Sequence, residues 1–123
     1  DDMRLDDINI MDIIADFNGL IASFAAYKDE NNKAHFEKKY IQFHGQTLQK
    51  DQLFFLAFAQ TNCRMQQTLN LIEHTLYRPV LKKMRVNQPL ISMLPFGKAF
   101  ACRQGTRMNP KQKCVSSMAS SFT

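Results

Sequence analysis

Apolar residues recur at intervals of three and four from Ile10 onward: Ile10, Ile13, Ile14, Phe17, Leu20, Ile21 and Phe24. That rhythm places one wide apolar stripe on a helix predicted over Asp7–Tyr27, with Asp6 or Asp7 available as its N-cap. Lys28–Lys33, containing Asn31-Asn32, reads as the exit turn, and Ala34–Phe43 as a short amphipathic segment before Gly45. Thr47 is placed to cap a second helix carrying Leu53, Phe54, Leu56, Ala57, Phe58 and Cys63, apolar on most sides. Met65–Tyr77 continues or restarts the helical pattern until Arg78-Pro79 breaks it. Pro79 suits the first turn of a further helix over Val80–Val86, because a first-turn residue has no intrahelical use for an N–H. Asn87–Leu90, with Pro89, reads as a connector, and Ser92 precedes a short helix over Met93–Ala101. The Ser-rich stretch 115–123 reads as a flexible tail. The fold class is therefore all-α, a packing of antiparallel helices.

Composition agrees with this. The chain has 123 residues, enough for one domain or part of one, and ten Phe with seven Met suit a globular interior. No run of 18 apolar residues and no basic, apolar leader is visible, so neither a membrane span nor a signal peptide is expected within these residues. The net charge of +5 conceals an asymmetry. All eleven acidic residues lie at or before Glu73, with seven bases among them, whereas positions 74–123 hold nine bases and no acid. Such halves attract each other or an acidic partner surface. The sharper alternative is a basic surface for nucleic acid or anionic lipid; against it, the bases are scattered and no reading helix, finger or stacking motif accompanies them.

Candidate chemistry is sparse. Asp12 and Asp16 are spaced i, i+4, which puts both carboxylates on one face of the first helix, continued by Gly19 and Ser23. A solvated polar face would show the same spacing. The three histidines, His35, His44 and His74, include no H-E-x-x-H pair, and no nucleophile elbow or phosphate-binding loop is present. Cys63, Cys102 and Cys114 are an odd set, which leaves an intermolecular bond, an absent partner or a free thiol open.

Three words in series carry a resemblance. MDIIADFNGLIASFAAY from Met11, QLFFLAFAQTNC from Gln52 and MNPKQKC from Met108 resemble, in order and spacing, the C-terminal part of the neprilysin-like zinc metallopeptidases. The resemblance runs from about Ile8 to Cys114 and implies a single partial peptidase domain over 1–123, from a family that hydrolyses extracellular peptides with a zinc-activated water. Aligned on Ile-Ala-Asp, Asp12 falls where the family has its zinc-ligand Glu, and Asp16 where an Asp orients a ligating His. Arg85 falls where an Arg holds the substrate backbone or carboxylate, a task suited to a guanidinium fork. The family's transition-state His position is taken by Pro79. The resemblance also implies that the three cysteines pair with segments outside these residues, and that the protein is extracellular or on the cell surface. Asp12 is one methylene shorter than Glu and has no imidazoles beside it, so no zinc is expected in this chain alone. The reading is a catalytically inactive structural or binding module, whose partner is the remainder of a peptidase domain, another protein chain or a peptide. The alternative is the C-terminal segment of an active peptidase whose H-E-x-x-H lies elsewhere. Phe54, Phe55 and Phe58 read as core, and Gln60 as a donor to buried backbone groups.

Overall fold

The computed structural model describes residues 3–33, 40–63 and 78–114. Among these described residues, four helices and one hairpin follow in order: α1 (Met3–Lys33), β1 (Tyr40–Phe43), β2 (Gln46–Gln49), α2 (Lys50–Thr61), α3 (Arg78–Ser92) and α4 (Leu94–Ala99). The chain is thus largely helical, as its periodicity predicts, with a small sheet that the periodicity does not reveal.

The core forms where the apolar faces of the helices meet. Phe17, Leu20, Ile21 and Phe24 of α1 are buried with Phe55 of α2, Leu90 of α3 and Met93 at the α3–α4 joint. Phe24 stacks on Phe55 at 5.2 Å between ring centres and meets Phe54 edge-on at 5.1 Å. Phe96 of α4 meets Phe55 edge-on at 5.4 Å, so one aromatic cluster joins three helices. Two half-buried polar ties reinforce it: Tyr27 Oη donates to the Lys50 carbonyl at 2.8 Å, and Gln52 Nε2 to the Ala99 carbonyl at 3.0 Å. Gln60, expected in that role, is exposed.

Several expected boundaries are corrected. α1 starts before Asp6 and passes through Lys28–Lys33, so neither the Asp caps nor the exit turn is used. Only part of its stripe is covered, for Ile10 and Ile14 remain 51% and 47% exposed. The segment before Gly45 is not helical but pairs as a hairpin, with Phe43 opposite Gln46 across the loop His44-Gly45. Both loop residues have positive φ, 46° and 77°, as a tight two-residue hairpin loop demands. Thr47 lies in β2, its hydroxyl accepting from Gln42 Nε2, and Gln49 caps α2 instead, its N–H donating to Gln52 Oε1 at 2.9 Å. α2 buries Phe55 fully, while Leu53, Phe54, Leu56 and Phe58 are half-covered and Cys63 is exposed.

Pro79 does sit in the first turn of α3. The expected connector Asn87–Leu90 is instead helix, with Pro89 inside it. A mid-helix proline forgoes one backbone bond at a cost of about 3 kcal/mol. Here its ring is fully buried beside Leu90, and that burial offsets the loss. α4 spans Leu94–Ala99, within the expected Met93–Ala101, with Met93 as N-cap and Pro95 in its first turn, where its missing N–H costs little. The predictions for Met65–Tyr77 and for the tail 115–123 lie outside the described residues.

By length and mean hydropathy (1.3), Ile10–Glu30 could cross a membrane, although Asp12, Asp16 and Asn18 interrupt its apolar run. Its buried side chains are those of the core just described.

Candidate functional site

The helical period brings Asp12 and Asp16 to the same side of α1, one turn apart. α3 packs along α1 and delivers Arg85 to them from 69 positions further along the chain. Arg85 Nε donates to Asp16 Oδ2 at 2.7 Å and Nη2 to Asp16 Oδ1 at 2.9 Å, a two-pronged pair in which the planar fork matches the carboxylate. Asp12 stands further off, its Oδ2 3.9 Å from Arg85 Nη1. The Asp16 side chain is 21% exposed, Arg85 39% and Asp12 55%. The hydrogen bonds to Asp16 hold the Arg85 guanidinium above its ordinary value; partial burial opposes this, and the charges of both carboxylates add to it.

The three residues singled out in the sequence therefore meet at one place. Their mutual pairing is what sequence reasoning missed, since it assigned Asp16 to a histidine and Arg85 to a substrate. Opposite charges on two helices with matching apolar faces were the available signal.

A guanidinium has five N–H donors, and Asp16 takes two of them. The Arg85 side chain is 39% exposed, and among the described residues Nη1 has only the long contact to Asp12. Such a group can donate to a carbonyl or carboxylate oxygen. Beside Asp16, a groove of about 390 Å³ runs between α1 and α2, floored by Leu20, Phe54 and Phe58, with Gly19, Ser23 and Thr61 along it. A larger groove of about 650 Å³, lined by Lys28, Asp51 and Lys98, lies some three turns along α1. There Lys28 pairs with Asp51 at 3.1 Å and takes no part in the trio.

The remaining candidates are dispersed. His44 is on the hairpin loop, edge-on to Phe43, while His35 and His74 lie outside the described residues. Pro79 opens α3, six residues before Arg85. Cys63 and Cys114 are exposed free thiols and Cys102 is a half-covered one, so the described residues contain no disulfide.

The chain matches the model of peptidase family M13 over residues 5–115. The chain belongs to peptidase family M13. Among relatives within the family, it is 35% identical over 104 residues to Neprilysin-3 of Drosophila melanogaster and 36% identical over 104 residues to Neprilysin of Homo sapiens. It is also 36% identical over 107 residues to Neprilysin-1 of Caenorhabditis elegans. These alignments cover 82–83% of the chain but only 13–14% of the relatives. No solved structure matches it.

The M13 family is zinc-dependent, which makes the fit of zinc to these residues a direct question. It is poor. Tetrahedral zinc requires three protein donors in its catalytic form. Among the described residues no three His, Cys, Asp or Glu side chains gather into such a set. Asp12 already faces a guanidinium rather than an imidazole, and a dication there would have to compete with Arg85 at short range.

Proposed function

We propose that these residues form the C-terminal part of a neprilysin-like peptidase domain that is catalytically inactive by itself and serves as a structural and peptide-binding module. The observation that carries this reading is the state of Arg85. Its Nε and Nη2 are fixed by Asp16, its side chain is still 39% exposed, and Asp16 itself lines an apolar groove between α1 and α2. A pre-oriented guanidinium donates to a peptide carbonyl or terminal carboxylate with little entropy left to lose. The same region offers two carboxylates, Asp12 and Asp16, the second already engaged by Arg85, where zinc needs three donors. No hydrolytic step is derived from it.

A second reading has one observation in its favour. Because the chain spans only 13–14% of the relatives' length, a longer protein has room for an H-E-x-x-H on another segment. On that reading the chain contributes Arg85 and its support to a working zinc metalloendopeptidase at the cell surface or outside the cell. The thiols of Cys63, Cys102 and Cys114 would then find partners on that segment.

The test is a titration of the 123-residue chain with a short peptide carrying a free C-terminal carboxylate, with hydrolysis followed in parallel. Expected is saturable binding, weakened at least about tenfold in Arg85→Gln, one lost charged hydrogen bond being worth about 1.5–3 kcal/mol, with no cleavage. Cleavage of the peptide by these residues plus zinc would refute the inactive reading. Absence of binding would refute the role of Arg85.

A further inference from the structure

The basic residues that follow α4 have no use in the site just described. Residues 102–111 form a knob built almost wholly from its own hydrogen bonds. Cys102 N–H donates to the Gly97 carbonyl at 2.9 Å, Gly105 N–H to the Asn109 carbonyl at 2.8 Å, and Asn109 N–H to the Thr106 carbonyl at 3.1 Å. Asn109 Nδ2 closes it onto the Cys102 carbonyl at 2.7 Å, and Thr106 Oγ1 donates to the Arg103 carbonyl at 2.7 Å. Gly105 takes a φ of 90°, open only to a residue without a side chain at low cost.

This ten-residue knob carries Arg103, Arg107 and Lys111. Thr106 bonds back to Arg103, Arg107 follows it, and the Lys111 stem crosses Gly105, its Cε 3.8 Å from where a Cβ would be. All three are exposed, and none has an ion-pair or hydrogen-bond partner for its side chain among the described residues. No acid occurs anywhere in 74–123 to neutralise them. Directly before the knob, Phe100 is 41% exposed, although its ring packs at 5.0 Å on Phe96. Exposed cations on a fixed scaffold with no acid in their half of the chain favour an anionic counterpart, and an exposed aromatic ring just before them in the chain narrows its chemistry.

We propose that the knob at 102–111 is a docking surface for an anionic phospholipid bilayer. Arg103, Arg107 and Lys111 meet the headgroup phosphates and carboxylates, and Phe100 enters the boundary between headgroups and acyl chains. Basic side chains beside an exposed aromatic are the combination that lipid surfaces reward, through charge and apolar burial together. A soluble polyanion uses only the first. Each cation near an anionic leaflet raises partitioning about fivefold, so three raise it about a hundredfold over a neutral bilayer.

The experiment is sedimentation of the 123-residue chain with vesicles of phosphatidylcholine alone or mixed equally with phosphatidylserine, at low and physiological salt. Expected is roughly hundredfold stronger partitioning onto the mixed vesicles, falling steeply with salt. Arg103→Gln/Arg107→Gln should lose about 25-fold of it with unchanged circular dichroism, because only exposed side chains differ. Phe100→Ser should weaken binding to mixed vesicles and leave binding to heparin untouched. Equal partitioning onto both vesicle types would overturn the proposal. So would full retention by Phe100→Ser together with tighter capture by heparin, which would assign the surface to a soluble polyanion.

Discussion

Replacing Asp16 and Arg85 singly and together measures the joint that assembles the site. The two N–H···O bonds are short, at 2.7 and 2.9 Å, and would count as strong in a dry interior. Solvent reduces them, since Arg85 is 39% and Asp16 21% exposed. Exposed ion pairs contribute up to about 1 kcal/mol, whereas charged hydrogen bonds with a buried partner reach about 1.5–3 kcal/mol. A half-buried two-pronged pair should therefore show a coupling of about 1 kcal/mol. The cycle compares wild type, Asp16→Asn, Arg85→Gln and the double variant by urea unfolding. With a slope of about 2 kcal/mol per molar urea, that coupling corresponds to a midpoint displacement of about 0.5 M. High salt should shrink it only in part, because Asp16 is mostly covered. A coupling below about 0.3 kcal/mol would refute the reasoning, for it would mean that α1 and α3 do not hold these side chains together.

Other parts of the fold yield sharper losses. Phe55→Ala removes the ring that joins α1, α2 and α4, and should cost about 3–5 kcal/mol in urea unfolding, a large part of a typical domain's stability. Gly97→Ala places a methyl 3.2 Å from Asn109 Cγ, whose amide holds the 102–111 knob, and should cost about 1–3 kcal/mol; a neutral result would show that Asn109 yields freely. Lys113 donates to the Ile91 carbonyl at 2.8 Å, and burial lowers its affinity for a proton, with the nearby Cys102 thiol partly offsetting this. A lowered lysine binds protons less well folded than unfolded, so stability should rise with pH from the folded value up to the ordinary 10.5. As the pH approaches 10.5 from below, wild type should gain stability relative to Lys113→Gln, and an equal response in both would contradict the assignment.

What was legible in the sequence was whatever depended on a repeated apolar spacing. Phe17, Leu20, Ile21 and Phe24 carry the core because a three-and-four rhythm has only one inward face. The same rhythm gives no sign of where that face runs out of partners, and Ile10 and Ile14 are exposed despite fitting it. Helix ends were less legible. Asn31-Asn32 did not stop α1 and Pro89 did not stop α3, since local preferences of about 1–3 kcal/mol yield to packing. The hairpin escaped because its strands are four residues long and its loop is His-Gly rather than the usual Asn-Gly. In the site, Asp12 and Asp16 were marked by their i, i+4 spacing and given roles by the resemblance, while Arg85 was found through the resemblance alone. Their pairing was not, because contact across 69 positions is a property of helix packing and not of any one segment.

The most direct test of the central claim is a calorimetric titration of the reduced 123-residue chain with zinc, with and without a short peptide. The account predicts no stoichiometric zinc site, because Arg85 rather than imidazole faces Asp12, together with peptide binding that Arg85→Gln weakens. One tightly bound zinc per chain, lost in Asp12→Asn and accompanied by cleavage of the peptide, would contradict it.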